Sequence, residues 1–158
     1  MTVLVGAPRD TFDDSLERDA WKRYCDGRNL SCWMQAQKAP IDCVVSNSTG
    51  KMVAVELART SQWTGHGDYS GAAVVIPHRK FKYFRHTVGP LYGDDNTMIT
   101  DQGYYVLFNA SRTRAVILRF TDLVRDESTF PTDTQPLNGE PCKVVLVPPS
   151  YVIQQLSL

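Results

Sequence analysis

The chain has 158 residues, a length typical of one domain, and its 42% hydrophobic residues are enough to form a buried core. Lysine and arginine together number 17, as do aspartate and glutamate, so the formal net charge is zero. A neutral chain has no overall attraction for nucleic acid or anionic lipid. The apolar content excludes disorder as the dominant state of the chain. The zero net charge means that any binding to a polyanion must use a local basic patch.

The four cysteines, Cys25, Cys32, Cys43 and Cys142, are separated by 7, 11 and 99 residues. This spacing is typical neither of a CxxC zinc or redox pair nor of a small disulfide scaffold, and we interpret the four residues as reduced, part-buried thiols. No segment approaches the roughly 18 apolar residues of a membrane span, and the N-terminus has no basic lead. We therefore expect no membrane partner and an intracellular, cytoplasmic location.

A helix is predicted over residues 12–26. Thr11 and the acidic residues that follow it are typical of a helix start, and Gly27 is a natural stop. The apolar stripe of this helix is predicted to contain Leu16, Ala20 and Tyr24, widened by Trp21 and Cys25.

The next segments predict the clearest β-hairpin of the chain. After a short strand over 30–34, the β-branched stretch 40–45 is followed by a turn cluster, Asn47–Gly50, and the strand pattern resumes over 51–59. Farther along, the pattern predicts a polar loop (60–71), a strand (72–76), a basic helix from Pro77 to about Val88, a loop (89–103), a second hairpin (104–108 and 114–120), a surface excursion (126–141) and a strand (143–147). This order predicts an α+β (α/β) fold: one domain over 1–158, with a single mixed β-sheet flanked by helices.

Two acidic residues lie among apolar residues of the first hairpin. Strand parity places Asp42 on the face of Val44, and Glu56 on the face of Ala54. If the hairpin pairs about its turn, the two carboxylates come close together, and a bound Mg²⁺ or Mn²⁺ would relieve their repulsion. The alternative is that each acid pairs with a nearby lysine or arginine, or points into solvent at a sheet edge.

The order of these elements resembles the PD-(D/E)XK nuclease superfamily. The similar features are an acid on the leading helix, an aspartate that follows a proline (Pro40-Ile41-Asp42), and a glutamate 14 residues later in the next strand (Val55-Glu56-Leu57). The layout resembles most closely the Holliday-junction-resolvase-like and phage-type members, over about residues 12–120, which leaves 121–158 as a C-terminal strand extension. The resemblance implies a restriction-endonuclease-like core and a metal-dependent DNA endonuclease or resolvase, either phage-encoded or from a selfish or repair context. A homodimer is expected because two strands must be cut.

The resemblance also implies a metal site. Asp42, Glu56 and the backbone carbonyl of Leu57 would hold Mg²⁺ or Mn²⁺, and Glu17 would be an outer or second-metal ligand. A metal-bound water would attack a phosphodiester in line. The polar loop that follows the glutamate strand would overhang these carboxylates.

The sequence departs from the family pattern at the motif lysine, because Ala58 stands two residues after the glutamate. Arg59 has the opposite strand parity, and its guanidinium is a poor proton acceptor. We expect Lys80, early on the basic helix, to fill the space that Ala58 leaves, with Lys82 as the second candidate. Alternatively, the chemistry has been lost and the fold is kept for binding DNA or a protein.

The segment 78–86 contains four lysines or arginines among three aromatic residues, and it is the best local phosphate-binding surface of the chain. The candidate DNA-binding residues are Arg59, Arg79, Lys82 and Arg85. Solvated charges on an outer helix face are the alternative for the last three. A third possibility for the whole chain is an unrelated α+β domain in which the carboxylate pair is incidental.

Overall fold

The computed structural model describes residues 15–35, 41–88, 91–92, 98–100, 103–137 and 139–158. Three α-helices are described: α1 (Ser15–Gly27), α2 (Phe81–Val88) and α3 (Phe120–Asp126). The strands are β1 (Ser31–Met34), β2 (Cys43–Ser46), β3 (Met52–Arg59), β4 (Val74–Pro77), β5 (Leu91–Tyr92), β6 (Met98–Thr100), β7 (Gly103–Phe108), β8 (Arg114–Arg119), β9 (Thr132–Leu137), β10 (Glu140–Val147) and β11 (Val152–Ser157). Single 3₁₀ turns cover His78–Lys80, Glu127–Thr129 and Pro149–Tyr151.

Six strands form the main sheet in the order β1-β2-β3-β7-β8-β11. The β3–β7 pair is parallel and the other neighbours are antiparallel, so this is a mixed sheet. The α+β class with a mixed sheet flanked by helices is therefore confirmed. The structure adds a three-stranded sheet, in the order β4-β10-β9, and the short pair β5–β6.

The two faces of the main sheet are covered by different elements, because successive side chains of a strand point to opposite faces. Helix α1 covers the face of β3 that carries Val55 and Leu57, which we call the α1 face. Helices α2 and α3 and the three-stranded sheet pack on the face that carries Ala54 and Glu56, which we call the carboxylate face. The chain thus has one apolar cluster on each side of the sheet.

Helix α1 buries a different stripe from the predicted one. Ala20, Trp21 and Cys25 are buried as predicted, whereas Leu16 is 54% exposed. The stripe of α1 that faces the sheet therefore contains Glu17 and not Leu16. The observed buried face is shifted by one residue from the predicted one. The helix begins at Ser15 in the described part of the chain, and the predicted residues 12–14 lie outside it.

Several elements differ from the sequence prediction. Helix α3 begins at Phe120, where a strand was expected to end, and it buries Phe120 and Leu123 one turn apart. The segment predicted as a surface excursion, 126–141, contains β9, which pairs with β10. Most side chains of β9 are exposed, so the sequence shows no hydrophobic alternation from which this strand could be predicted. The loop predicted over 89–103 includes β5 and β6, and β11 completes the main sheet beside β8.

The predicted basic helix is divided into two parts. Pro77 is the last residue of β4, a 3₁₀ turn follows over His78–Lys80, and α2 begins at Phe81. Phe81 and Phe84 are buried against the carboxylate face, which anchors this segment to the sheet. None of the described helices is long and apolar enough to cross a membrane.

Candidate active site

The register of the first hairpin places the two predicted acids opposite each other. Cys43 pairs with Val55 in the antiparallel β2–β3 ladder, and Asp42 and Glu56 are the next positions outward. The N–H of Asp42 donates a hydrogen bond to the carbonyl oxygen of Val55 at 3.1 Å, which extends the pairing to Asp42. Both side chains therefore point to the same face of the sheet.

Asp42 is held by two donors from different elements. The N–H of Leu57 donates to its Oδ2 at 2.7 Å, and the guanidinium of Arg18 donates to its Oδ1 at 3.0 Å. Arg18 also donates to the carbonyl oxygen of Gln35 at 2.8 Å. Helix α1 thereby fixes the orientation of a carboxylate that sits at the entrance to β2.

Glu56 is the more perturbed of the two acids. Its side chain is buried, with the residue only 6% exposed, and this burial raises the pKa of the carboxyl to about 7. Lys80 opposes the change in pKa by its positive charge, whereas the charge of Asp42 and a hydrogen bond with Asp42 raise the pKa further. The two carboxyls therefore influence each other's ionisation across the strand pair.

Lys80 supplies the positive charge at this site. Its Nζ forms an ion pair with Oε2 of Glu56 and is largely buried. Lys80 belongs to the 3₁₀ turn that follows β4, so the ammonium reaches the strand from a separate element and lies over the carboxylate face, where Ala58 has only a methyl group.

The acids open onto a cleft of about 770 Å³. Its lining includes Asp42, Glu56 and Lys80, most of the loop 60–71, and part of β9. The loop is fixed to the β7–β8 turn: the buried Asn109 donates to the carbonyl oxygen of Gly65 at 2.9 Å, and the N–H of Ala110 donates to that of Trp63 at 2.8 Å. The loop is therefore a positioned wall beside the acids, in the place expected from the sequence.

Glu17 does not join this group. It is 2% exposed and pairs with Nε of Arg112 at 2.6 Å and with Nε of Arg59 at 3.7 Å. Helix α1 lies on the α1 face, and Glu17 is not among the described residues that line the cleft. The expected outer metal ligand is placed instead in a cluster with two arginines, because the inward stripe of α1 carries it to the other side of the sheet.

The four predicted DNA-binding residues are distributed over different places. Arg79 and Arg59 line the cleft, although the guanidinium of Arg59 is turned toward Glu17. Lys82 is exposed, with its Nζ 5.0 Å from the ring centroid of Tyr83, and lies outside the described lining. Arg85 pairs with Glu127 at 2.6 Å. Only part of the basic segment therefore faces the acids.

The donors present at the site fit a hard divalent cation. Two convergent carboxylates are the ligands that Mg²⁺ prefers, and a cation between them would offset the burial and the charge of Asp42, which raise the pKa of Glu56. The described residues contain no group of three or more histidine, cysteine, aspartate or glutamate side chains that could hold a metal ion. A site here would have two acidic side chains and would complete its ligand set from backbone carbonyls and water.

Sequence reasoning missed the contact of Arg18 with Asp42. The two residues are 24 positions apart, and only the packing of α1 beside β2 brings them together. It also missed Trp33, which is 50% exposed and pairs with Val44 in the β1–β2 ladder. Because paired residues of a ladder share a face, Trp33 lies on the carboxylate face, two strands away from Glu56.

No protein-family model matches the sequence, and no curated protein matches it. Among solved structures, the fold is similar to that of Hjc, a Holliday junction resolvase from the archaeal hyperthermophile Archaeoglobus fulgidus. The TM-score is 0.52 over 91% of this chain and 90% of that chain, at 9% sequence identity. The main sheet and its flanking helices therefore have the same class of fold as this solved structure. At 9% identity, the similarity is one of fold alone.

Proposed function

We propose that this chain is a metal-dependent, resolvase-like DNA endonuclease that hydrolyses phosphodiester bonds. The observation that carries the proposal is the pairing of Asp42 with Glu56 on one face of the sheet, beside Lys80 and at the wall of a cleft. The sequence resembles Holliday-junction-resolvase-like nucleases, and the similar solved structure is itself a Holliday junction resolvase. The resemblance in sequence and the similarity in fold thus support the same class of activity.

In this proposal Asp42, Glu56 and the carbonyl oxygen of Leu57 hold Mg²⁺ or Mn²⁺. The metal, when bound, lowers the pKa of a coordinated water and stabilises charge on the phosphate oxygens. The N–H of Leu57 and the guanidinium of Arg18 orient the Asp42 carboxylate. We assign Glu17 to the packing of α1 and not to the metal.

Lys80 takes the role of the absent motif lysine. Its ammonium is held at Glu56, where it can orient a water by donating a hydrogen bond and can offset the negative charge of a phosphate. Arg79, on the neighbouring position of the same turn, lines the cleft and would contact the DNA backbone. A homodimer stays a prediction, which follows from the need to cut two strands.

A second candidate function is a catalytically inactive nuclease fold that binds DNA or protein. A specific observation favours it: each acid already has a protein cation as partner, Asp42 in Arg18 and Glu56 in Lys80. A site neutralised in this way is stable without a metal. The two candidates therefore differ in whether a divalent cation binds at Glu56.

The test measures nicking of supercoiled plasmid and cleavage of a labelled four-way junction, each with Mg²⁺, Mn²⁺ or a chelator. We expect Asp42→Asn and Glu56→Gln to lower the metal-dependent rate by about 100-fold or more. Glu140→Gln, an exposed acid on β10, is the matched control and should keep the wild-type rate. Cleavage that persists in both cleft variants would refute the assigned site.

The same protein samples distinguish the nuclease from the second candidate, the catalytically inactive fold. If the wild-type protein binds DNA with strong salt dependence but cuts neither substrate with any cation, the inactive module is the better description. Calorimetric titration with Mn²⁺ gives an independent readout. Heat of binding that is lost in Glu56→Gln supports the metal site, and equal heats in the two proteins reject it.

A further inference from the structure

Three cysteine thiols form a cluster outside the cleft. Cys25 lies in α1, Cys32 on β1 and Cys43 on β2, and all three belong to or pack against the apolar cluster beneath α1. Cys25 and Cys43 are fully buried, whereas Cys32 is partly exposed. The fourth cysteine, Cys142, lies on β10 in the three-stranded sheet, away from this group.

Cys32 is the central member of the cluster. Hydrogen bonds join its thiol to those of Cys25 and Cys43, and these bonds lower the pKa of Cys32, with a further contribution from the charge of Lys22 on α1. The same interactions raise the pKa of Cys25. Cys32 is therefore a partly exposed thiol with a lowered pKa between two buried thiols, which is the environment of a reactive cysteine.

The strand register decides which neighbour can close a disulfide with Cys32. Cys32 pairs with Val45, whereas Cys43 pairs with Met34, so the two cysteines are diagonal rather than opposite. Diagonal positions of a ladder lie about 7–8 Å apart, at or beyond the limit of about 7 Å for the α-carbons of a disulfide. Cys25 approaches from the helix above the sheet and is not subject to this register.

We propose that Cys32 and Cys25 form an oxidation site at which a hydroperoxide converts the two thiols to a disulfide, with Cys43 as a hydrogen-bond donor to Cys32. The thiolate of Cys32 attacks one peroxide oxygen; an S–O bond forms, the O–O bond breaks and hydroxide leaves. The sulfur of Cys25 then attacks the sulfenic acid of Cys32; the S–S bond forms, the S–O bond breaks, and water leaves with the proton of Cys25. Each hydrogen peroxide takes two electrons from the two thiols. This proposal does not rest on the nuclease function.

The test treats the full chain with equimolar hydrogen peroxide and then blocks free thiols with an alkylating agent. Trypsin separates the cysteines, because Cys25 falls in peptide 24–28, Cys32 in 29–38 and Cys43 in 39–51. We expect mass spectrometry to find the peptides of Cys25 and Cys32 linked, with the chain 2 Da lighter, a loss that corresponds to two hydrogens. Cys142→Ser is the matched control and should give the same link.

Two variants test the separate roles of Cys32 and Cys25 in forming the disulfide. Cys32→Ser, at a partly exposed position, should leave the other thiols reduced, and Cys25→Ala should accumulate a sulfenic acid at Cys32 that dimedone traps. At pH 6, where an ordinary thiol is almost fully protonated, Cys32 should react with iodoacetamide at least about tenfold faster than Cys142. Preferential oxidation of Cys142, a link between Cys32 and Cys43, or equal alkylation rates would each overturn the proposal.

Discussion

Among the described residues, one buried glutamate lies on each side of the main sheet, and the two have opposite surroundings. Glu17, in α1, meets the guanidinium groups of Arg112 and Arg59. Glu56, on β3, meets a lysine and a second carboxylate, and only Glu56 lines the cleft. Arginine keeps its charge and has a rigid set of hydrogen-bond donors, which suits a permanent ion pair. Lysine carries its charge on a flexible side chain, so its ammonium can exchange one partner for another.

This difference in surroundings distinguishes Glu17, whose role we assign to stability, from Glu56, whose role we assign to the reaction. A carboxylate between two arginines is fully compensated, so removing it leaves two guanidinium groups without their shared partner. Glu56 is buried beside one lysine and a second carboxylate, and its pKa is raised toward neutrality by burial first and by the charge of Asp42 in addition. Burial of an acid therefore indicates function only together with the charges that surround it.

The largest expected effect is on the α1 face. Glu17→Ala should lower the free energy of unfolding by about 3–4 kcal/mol, because a buried carboxylate that is the shared partner of Arg112 and Arg59 is removed. Arg112 lies in the β7–β8 turn with a φ of 62°, an uncommon conformation for a non-glycine residue, and its N–H donates to the carbonyl oxygen of Asn109 at 3.1 Å. Urea unfolding measures the change.

The control is the exposed pair of Arg85 and Glu127, where Glu127→Ala should cost at most about 1 kcal/mol. A loss in Glu17→Ala no larger than that of the control would show that the arginine cluster does not stabilise α1 against the sheet.

The next effect is a pH dependence from Glu56. Its pKa in the folded state, about 7, is higher than the ordinary value of 4.5, so the folded chain holds a proton that the unfolded chain releases. This contribution to stability is fully present below about pH 4.5 and is lost as the pH rises through about 7. The free energy of unfolding should therefore fall by about 3 kcal/mol between these two pH values.

Glu56→Gln removes the titrating group and should flatten that part of the pH profile. The metal gives a second readout, since a cation binds the ionised carboxylate: Mn²⁺ should raise the melting temperature more at pH 8 than at pH 6. A profile with the same slope in Glu56→Gln and in the wild-type protein would contradict the assignment of this titration to Glu56.

A smaller effect is expected from the cation that faces Glu56. Lys80→Met removes the charge that lowers the pKa of this carboxyl, so the midpoint of the stability profile should move upward by roughly one pH unit. Lys80→Arg keeps the charge and should keep the midpoint. A midpoint that is unchanged in Lys80→Met would show that the ion pair contributes nothing to the titration of Glu56.

The first hairpin was predictable because its alternation and turn are local. Asp42 and Glu56 follow from strand parity and from the turn Asn47–Gly50, and both acids do lie on one face. The approach of Lys80 followed from the family resemblance, since the motif lysine is replaced by Ala58 and Lys80 lies early on the predicted basic helix. These inferences depend on few residues and on fixed geometric periods.

The rest depended on packing that no local pattern encodes. The side of the sheet that Glu17 reaches depends on which residues of α1 turn inward, and an apparent stripe through Leu16 was wrong by one position. Strand β9 has almost no buried side chains and exists because β10 offers hydrogen-bonding partners. The thiol cluster joins three elements, so cysteine spacing could not reveal it.

The smallest effects concern DNA affinity and compare two cations of the basic segment. Arg79 lines the cleft beside Lys80, whereas Lys82 points to solvent over Tyr83. If DNA lies across the acids, Arg79→Ala should weaken binding about fivefold and reduce the salt dependence by about one phosphate contact, and Lys82→Ala should weaken it by about twofold at most. Fluorescence anisotropy with a labelled junction at two salt concentrations measures both. Equal losses in the two variants would place the DNA on the outer face of α2 and not in the cleft, which would also remove the reason for assigning catalysis to the carboxylate face.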